Sequence, residues 1–400
     1  MTRSSRVEGR LDALYAIGRG EGANRPALSE HEDAAHALVE AWMREAGLEI
    51  GKDTIGNLYG RLRGREPQLA EIWCGSHLDS VPRGGRFDGA LGVVAALEAV
   101  SRLEPETRTV TVVAFRDEEG WRFGDGFLGS RAVSGQLDAA GLENTDRDGV
   151  TVREALAQGG HPFAPGQGWL APAPGAFLEA HIEQGPVLAG RDAALGVVTS
   201  IVGILELRVV FTGAAGHAGT TPMGSRRDAA LCAAAFQVGA ATAAREIADA
   251  VLTVGSPVAV EPGAANVIAR RTTVRVDARA PDAKRLAALE QAVWRAADDA
   301  ARAHGCEAEV DVTMRIDPVA CDPSLCAVLE RAAARAPSLP SGAGHDAQVL
   351  ARAGIPVAML FVRSLNGGIS HSPAESTSPD DVAACVDALE AALGELARRR

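Results

Sequence analysis

Aromatic side chains are scarce in this chain: 5 Trp, 2 Tyr and 9 Phe make up 4% of its 400 residues. Its core must be built from aliphatic side chains and alanine, and 46% hydrophobic residues over this length suffice for two domains. That composition excludes a fibrous or disordered chain. Positive charge is also in deficit. Lys and Arg number 40 against 52 Asp and Glu, a formal net charge of -12 that repels polyphosphate, so nucleic acid is not an expected partner. The six cysteines (Cys74, Cys232, Cys306, Cys321, Cys326 and Cys385) include no CxxC pair, which fits a reducing compartment. Charges at positions 3, 6, 8, 10, 12 and 19 leave no room for the apolar core of a signal peptide. A cytoplasmic protein is expected.

Long apolar runs are missing as well. Between Asp228 and Arg245 lie 16 uncharged residues, fewer than the ~20 a membrane-spanning helix needs. The stretch from Ala155 to Leu178 is also uncharged, but it holds Pro162, Pro165, Pro172 and Pro174 and reads as a loop. No membrane segment is expected. The GxSxG of a serine hydrolase and the GxxxxGK of a phosphate-binding loop are absent, which argues against a nucleophilic serine and against P-loop chemistry.

What is present alternates between helix and strand. Ser29 and Glu32 have the spacing of a capping box, and Ala34, Ala35, Leu38 and Trp42 continue at helical period to about Gly47. Strands are expected over 54–62, 71–76 and 109–115, with a helix over 88–103 between the last two. This is the pattern of an α/β domain on a mostly parallel sheet. From 203 to 316 the order changes to strand, helix (226–248), strand (251–260), strand (272–280), helix (282–304), strand (307–315). That βαββαβ order predicts a ferredoxin-like module of residues 203–316, inserted into a larger domain of residues 1–202 and 317–400.

Four polar clusters follow apolar strand candidates. EIWCGS leads to His77 and Asp79, TVTVVAF to Glu118 and Glu119, AFLEA to His181 and Glu183, and IPVAMLFV, after a Gly-rich loop, to His371. Ligands of open α/β sheets bind beyond the carboxyl ends of the strands, so these groups can converge, with Asp88 joining from the start of its helix. Singly, a histidine after a strand more often packs or caps, and adjacent glutamates are more often solvated. All four clusters fall at the same end of the sheet. Imidazole and carboxylate together suit zinc or a similar divalent ion, and two ions would need a shared carboxylate, for which Asp88 is placed. Asp79, two residues from His77, is placed to accept the spare imidazole N–H. One of Glu118 and Glu119 would bind metal and the other act as general base on water.

These residues resemble a known family, the dinuclear metal-dependent amidohydrolases that include N-carbamoyl-L-amino acid hydrolases, ureidopropionases and allantoate amidohydrolases, within a wider clan of aminoacylases and metallopeptidases. The resemblance runs in order through GSHLDSVPRGGRFDGALGV (75–93), RDEEGWRFG (116–124), EAHIEQGPVL (179–188), GHAGTTPMGSRRDA (216–229), GAANVIA (263–269), DARAPD (277–282), SGAGHDA (341–347) and GISHSPAE (368–375). It implies two divalent ions per subunit, zinc or manganese, with cobalt or nickel as substitutes in vitro. His77, Asp88 and His181 would hold one ion, and Asp88, Glu119 and His371 the other, leaving Glu118 as the base. It also implies that Arg279 grips a substrate carboxylate, and that Gln184, Asn266, Gly342 and Gly344 contact the substrate. His217 would reach across a homodimer, formed through the inserted domain, as an oxyanion stabiliser. His181, where related peptidases commonly carry an acidic residue, favours the carbamoylase branch. The expected substrate is a small carboxylate-bearing ureido or amide compound, an N-carbamoyl-L-amino acid first and allantoate second. Bland alternatives are a strand-edge charge for Arg279 and a helix cap for His345 with Asp346. His31, His36, His161 and His304 match nothing in the family. Two departures bear on the pocket: Trp121 stands where relatives have a small residue, and Arg363 where many have proline.

Overall fold

Four strands are buried at every position, and their composition explains it: IWCGSH, VTVVAF, AFLEAHI and VAMLFV are near-continuous apolar runs of the kind covered on both faces. In the computed structural model, which describes residues 3–166, 168–334 and 336–400, the chain divides into two units. The first takes the chain up to Thr199, Cys321–Leu339 and His345–Arg400; the second takes Ser200–Ala320 and Pro340–Gly344.

The strands that open the first unit are β1 Glu49–Lys52, β2 Leu58–Leu62, β3 Ile72–His77, β4 Val110–Phe115, β5 Ala176–Ile182 and β6 Leu195–Ile201. The second unit continues with β7 Gly203–Thr212, β8 Gly216–His217, β9 Val251–Glu261, β10 Val267–Ile268, β11 Arg271–Ala280 and β12 Glu307–Ile316. Short β13 (Val319–Ala320) and β14 (Ser338–Ser341) precede β15, Val357–Val362.

In the large sheet the order runs β1-β2-β4-β3-β5-β15-β6. β4, β3, β5 and β15 are mutually parallel neighbours, flanked by antiparallel β2 on one side and β6 on the other. The four parallel strands therefore end at one edge. Close approach of β3 to β4 needs Gly75, since a Cβ there would lie 1.8 Å from the Val113 carbonyl oxygen. The helix Ala90–Val100, apolar around its whole circumference and buried throughout, packs onto β5 through Gly92, where a Cβ would sit 2.2 Å from the Ala180 carbonyl. Its one charge, fully buried Glu98, is neutralised by Arg6, Arg10 and Arg102.

The second unit has the βαββαβ order, with a four-stranded antiparallel sheet ordered β12-β7-β11-β9. Period-2 alternation in β11 turns Thr272, Val274, Val276, Ala278 and Ala280 inward. Against that face pack Ala229–Ala244 and Ala283–His304, with Phe236, Leu286, Leu289 and Val293 in one core with Phe211 of β7. The uncharged 229–244 segment is thus a domain helix, and among the described residues no helix is long and apolar enough to cross a membrane.

Three local expectations need correction. Residues 54–57 are a turn, because Asp53 Oδ1 accepts the N–H groups of Ile55, Gly56 and Asn57; the strand begins at Leu58, and exposed β1 precedes the turn. The uncharged stretch 155–178 is a loop only in its proline-bearing middle: Val152–Gln158 is a helix with a Thr151–Glu154 capping box, and β5 starts at Ala176. Ser29 does cap its helix, Glu30–Glu45, but the Glu32 carboxylate accepts from Leu28 N–H and pairs with buried Arg116 instead of closing the box.

Candidate metal centre

β3 ends in His77, which is fully buried, and Asp79 Oδ1 lies 3.1 Å from its Nδ1. With Nδ1–H donated to Asp79, the Nε2 lone pair is left to face Asp88 and Glu118. The same carboxylate accepts from the backbone N–H groups of Glu118 (3.0 Å) and Glu119 (3.2 Å), so Asp79 ties the end of β3 to the end of β4. At the end of β5, His181 donates Nδ1–H to the Ile182 carbonyl at 2.9 Å, again freeing Nε2. Beyond β15, His371 sits at φ +51 with its ring half exposed.

Asp88 lies between these groups, its two oxygens facing opposite ways. Oδ1 is 3.3 Å from His181 Nε2 and 3.8 Å from His77 Nε2. Oδ2 is 3.2 Å from His371 Nε2, which is also 3.3 Å from Glu119 Oε2. Gly89 makes room: at φ +62, a Cβ there would fall 2.4 Å from the His77 ring. The result is two donor groups sharing one carboxylate, His77–Asp88–His181 and Asp88–Glu119–His371, each with its donor atoms within 4.8 Å of one another. His77 Nε2 and Glu119 Oε1 are buried without a hydrogen-bond partner. Orphaned acceptors of this kind, in an all-imidazole and carboxylate set, fit divalent cations.

Burial pushes the Glu118 carboxyl well above the usual range, and burial with the neighbouring Asp88 takes Glu119 up to about 8. The hydrogen bond to Asp88 holds the His371 imidazole up to about 9. Burial opposes ionisation of Asp88, yet hydrogen bonds from His181 and His371 outweigh it and keep that carboxyl well below its ordinary value. Glu118 belongs to neither donor group, and its Oε2 stands 3.8 Å from His77 Nε2.

In the first unit the structure brings together His77, Asp79, Asp88, Glu118, Glu119, His181, His371 and Gln184. Gln184 donates its amide to Asp88 Oδ2 at 3.2 Å and to Ser370 at 3.1 Å. Glu183, which followed the same strand, turns instead to the backbone N–H groups of Val187 and Leu188. The remaining expected residues lie in the second unit. His217 on β8 is registered against Val267 on β10, with Asn266 adjoining it through Ala218 N–H to its carbonyl at 3.0 Å. His217 Nδ1 accepts from Gly219 N–H at 3.0 Å, so Nε2 carries the proton and can donate. The Arg279 guanidinium forks onto both Asp277 oxygens at 3.0 and 3.2 Å, and its Nη1 reaches the Gly342 carbonyl. Gly344 ends the same segment.

Several participants escape local pattern. His345 occupies the N-cap position of the helix Asp346–Arg352 but makes no capping hydrogen bond with its side chain; its buried ring stands edge-on to His181 at 4.6 Å. Glu179 on β5 accepts from Ser76 Oγ and from Ala347 N–H, linking β3 to that helix. Glu375, inside the GISHSPAE segment, bonds the backbone at Asp88. Trp121 is partly exposed beneath the Arg147 guanidinium, and Arg363 is spent on Asp381 and Asp192. GDGFLG (124–129) has the glycine spacing of a dinucleotide turn, but it does not follow directly on a strand, so the context that would give that spacing meaning is missing.

The sequence of this chain is similar along its full length to known enzymes. It is 39% identical over 418 residues to an N-carbamoyl-L-amino acid amidohydrolase of Geobacillus stearothermophilus, covering 100% of both chains. It is 36% identical over 369 residues to the allantoate amidohydrolase of Escherichia coli K12, covering 89% of this chain and 88% of that one. Its fold matches the solved structure of an amidase of the hydantoinase/carbamoylase family from Burkholderia multivorans, with TM-score 0.91, 34% identity, and 99% and 98% of the two chains covered. The model of Peptidase family M20/M25/M40 matches residues 73–395, and this places the chain in that family.

Proposed function

We propose that this protein is a two-metal amidohydrolase that cleaves the ureido C–N bond of N-carbamoyl-L-amino acids, releasing amino acid, carbon dioxide and ammonia. The observation that carries this reading is the pair of donor groups sharing Asp88, with Glu118 left over beside them. Zinc or manganese fits the mixed imidazole and carboxylate set. Bound divalent ions supply Lewis acidity and make water a nucleophile near neutral pH. His77, Asp88 and His181 would hold one ion and Asp88, Glu119 and His371 the other, with Asp79 orienting His77.

Glu118 accepts the proton of the water that attacks the carbamoyl carbon, and the His217 Nε2–H donates to the oxyanion that forms. As the C–N bond breaks, Glu118 passes its proton to the leaving amine nitrogen of the amino acid, and the carbamic acid left behind breaks down to carbon dioxide and ammonia. Arg279, held on its Nε–Nη2 edge by Asp277, binds the substrate carboxylate, and Asn266, Gln184, Gly342 and Gly344 contact the substrate. Residues 203–316 act as lid and as the surface through which two copies pair, His217 serving the partner copy's site. The protein works in the cytoplasm.

Full-length identity to the Geobacillus enzyme favours the carbamoyl substrate, and the Escherichia coli relative makes allantoate the second reading. The deciding experiment reloads the protein with zinc or manganese and measures ammonia and amine release from N-carbamoyl-L-amino acids, N-carbamoyl-β-alanine, allantoate, N-acetyl amino acids and dipeptides. Free amino acid with ammonia from the first class is the expected result. Activity on allantoate alone would replace the substrate, and a metal-replete protein inert on the whole panel would overturn the enzymatic reading.

A further inference from the structure

Glu375 is buried 287 residues along the chain from Asp88, yet it bonds to that residue's backbone. Its Oε2 accepts the N–H of Phe87 at 2.7 Å and of Asp88 at 3.2 Å. Its Oε1 accepts from Ser370 Oγ at 2.7 Å, and Ser370 in turn accepts from the Gln184 amide. One carboxylate therefore joins the backbone of Asp88, the carboxylate shared by both donor groups, to the residue preceding His371. Gly85 permits this: a Cβ there would lie 2.0 Å from Glu375 Oε2.

The two donor groups do not depend on this clasp equally. His77 and His181 sit at the ends of buried strands, each ring fixed by a hydrogen bond at Nδ1. His371 rides on a loop, half exposed and at φ +51, a conformation that costs a non-glycine residue free energy and persists only when neighbours enforce it. The Glu375–Ser370 bond supplies that enforcement on one side of His371, and the Asn366 amide to the Ala374 carbonyl supplies it on the other.

We propose that Glu375 is a positioning residue that sets the affinity of the Asp88–Glu119–His371 site, through its hydrogen bonds rather than its charge. The inference rests on the two-metal reading above. Partners that orient metal ligands change affinity by roughly 10–100-fold when removed, and a loss of that size is expected at this site alone.

The test is metal stoichiometry and affinity by equilibrium dialysis with zinc, read by elemental analysis, on wild type, Glu375→Ala, Glu375→Gln and Ser370→Ala. Wild type should bind two equivalents. Glu375→Ala should keep one at wild-type affinity and bind the second roughly 10–100-fold more weakly. Glu375→Gln, whose carbonyl can still accept both N–H groups while its amide donates to Ser370, should bind both within a few-fold of wild type. Ser370→Ala removes one end of the clasp without opening a large cavity and should weaken the second equivalent in the same direction, so the inference stays testable if Glu375→Ala fails to fold. Unchanged second-site affinity in Glu375→Ala or, where that variant fails to fold, in Ser370→Ala would overturn it, as would equal weakening of both sites. Fewer than two equivalents in wild type would sink the two-metal reading, an outcome visible before any variant is made.

Discussion

Glu118 and Glu119 are neighbours in sequence with opposite surroundings. Glu119 faces Asp88 and His371, whereas Glu118 faces His77 and falls in neither donor group. Asp79 separates their roles by pinning both backbone N–H groups, which points the two side chains in different directions. Glu118→Gln keeps the size and removes the base. It should retain both metals in elemental analysis and lose at least the ~10²–10⁴-fold that a positioned acid–base group contributes to kcat. Near-wild-type turnover would remove Glu118 from the chemistry. At this scale, sequence alone placed the residues next to apolar runs, since His77 ends β3, His181 lies near the end of β5, and Glu118 and Glu119 come within four residues of β4, strands whose composition announces them. Glu375 and His345 were not legible in that way. Their partners, the Asp88 backbone and the His181 ring, are distant in sequence, and nothing local in SPAE or GHDA encodes the contact.

Elements position these residues through backbone approaches that tolerate only glycine. Gly75 lies two residues before His77 on β3, and a methyl group there would meet the Val113 carbonyl on β4, a backbone atom that no rotamer change can move. Overpacking of this kind costs about 1–3 kcal/mol, and relief requires the two strands to part. Gly75→Ala should therefore lower Tm by several degrees in a calorimetric scan and weaken metal binding in the same sample, because β3 carries His77 and β4 leads into Glu119. An unchanged Tm would show that the sheet has slack at this point. The buried strands were readable because their apolar runs are unbroken. β1 was not, being a short edge strand with exposed ends and no alternation to mark it, and 54–57 read as strand because an Asp53-centred turn leaves no hydrophobic signature. The change of rhythm after residue 203 was the clearest signal of all, since the order of elements turns there to βαββαβ, and β11 alternates between buried and less buried positions.

For the whole molecule, the question is how a chain of net charge -12 stabilises a carboxylate-rich donor set. In the metal-free protein, protons do so. Burial and Asp88 lift Glu119 to about 8, and the hydrogen bond to Asp88 lifts His371 to about 9, against unfolded values of about 4.3 and 6.5. Both folded values lie above the unfolded ones, so the folded state holds the protons more tightly. The stability they contribute is complete below the unfolded values and is lost as pH climbs through about 8 and 9. Divalent cations occupying the same donors replace the protons and remove that loss, and at a hundred times Kd a bound ion adds about 2.7 kcal/mol per site. Chelation should therefore lower Tm at every pH, and the gap between metal-loaded and chelated protein should widen from pH 6.5 to pH 9. Asp88, held well below its ordinary value, contributes a slope of opposite sign, but only in acid, outside this window. Paired calorimetric scans across the range decide the matter: a gap that stays constant would mean that neither Glu119 nor His371 exchanges its proton for metal, and that the ions sit elsewhere.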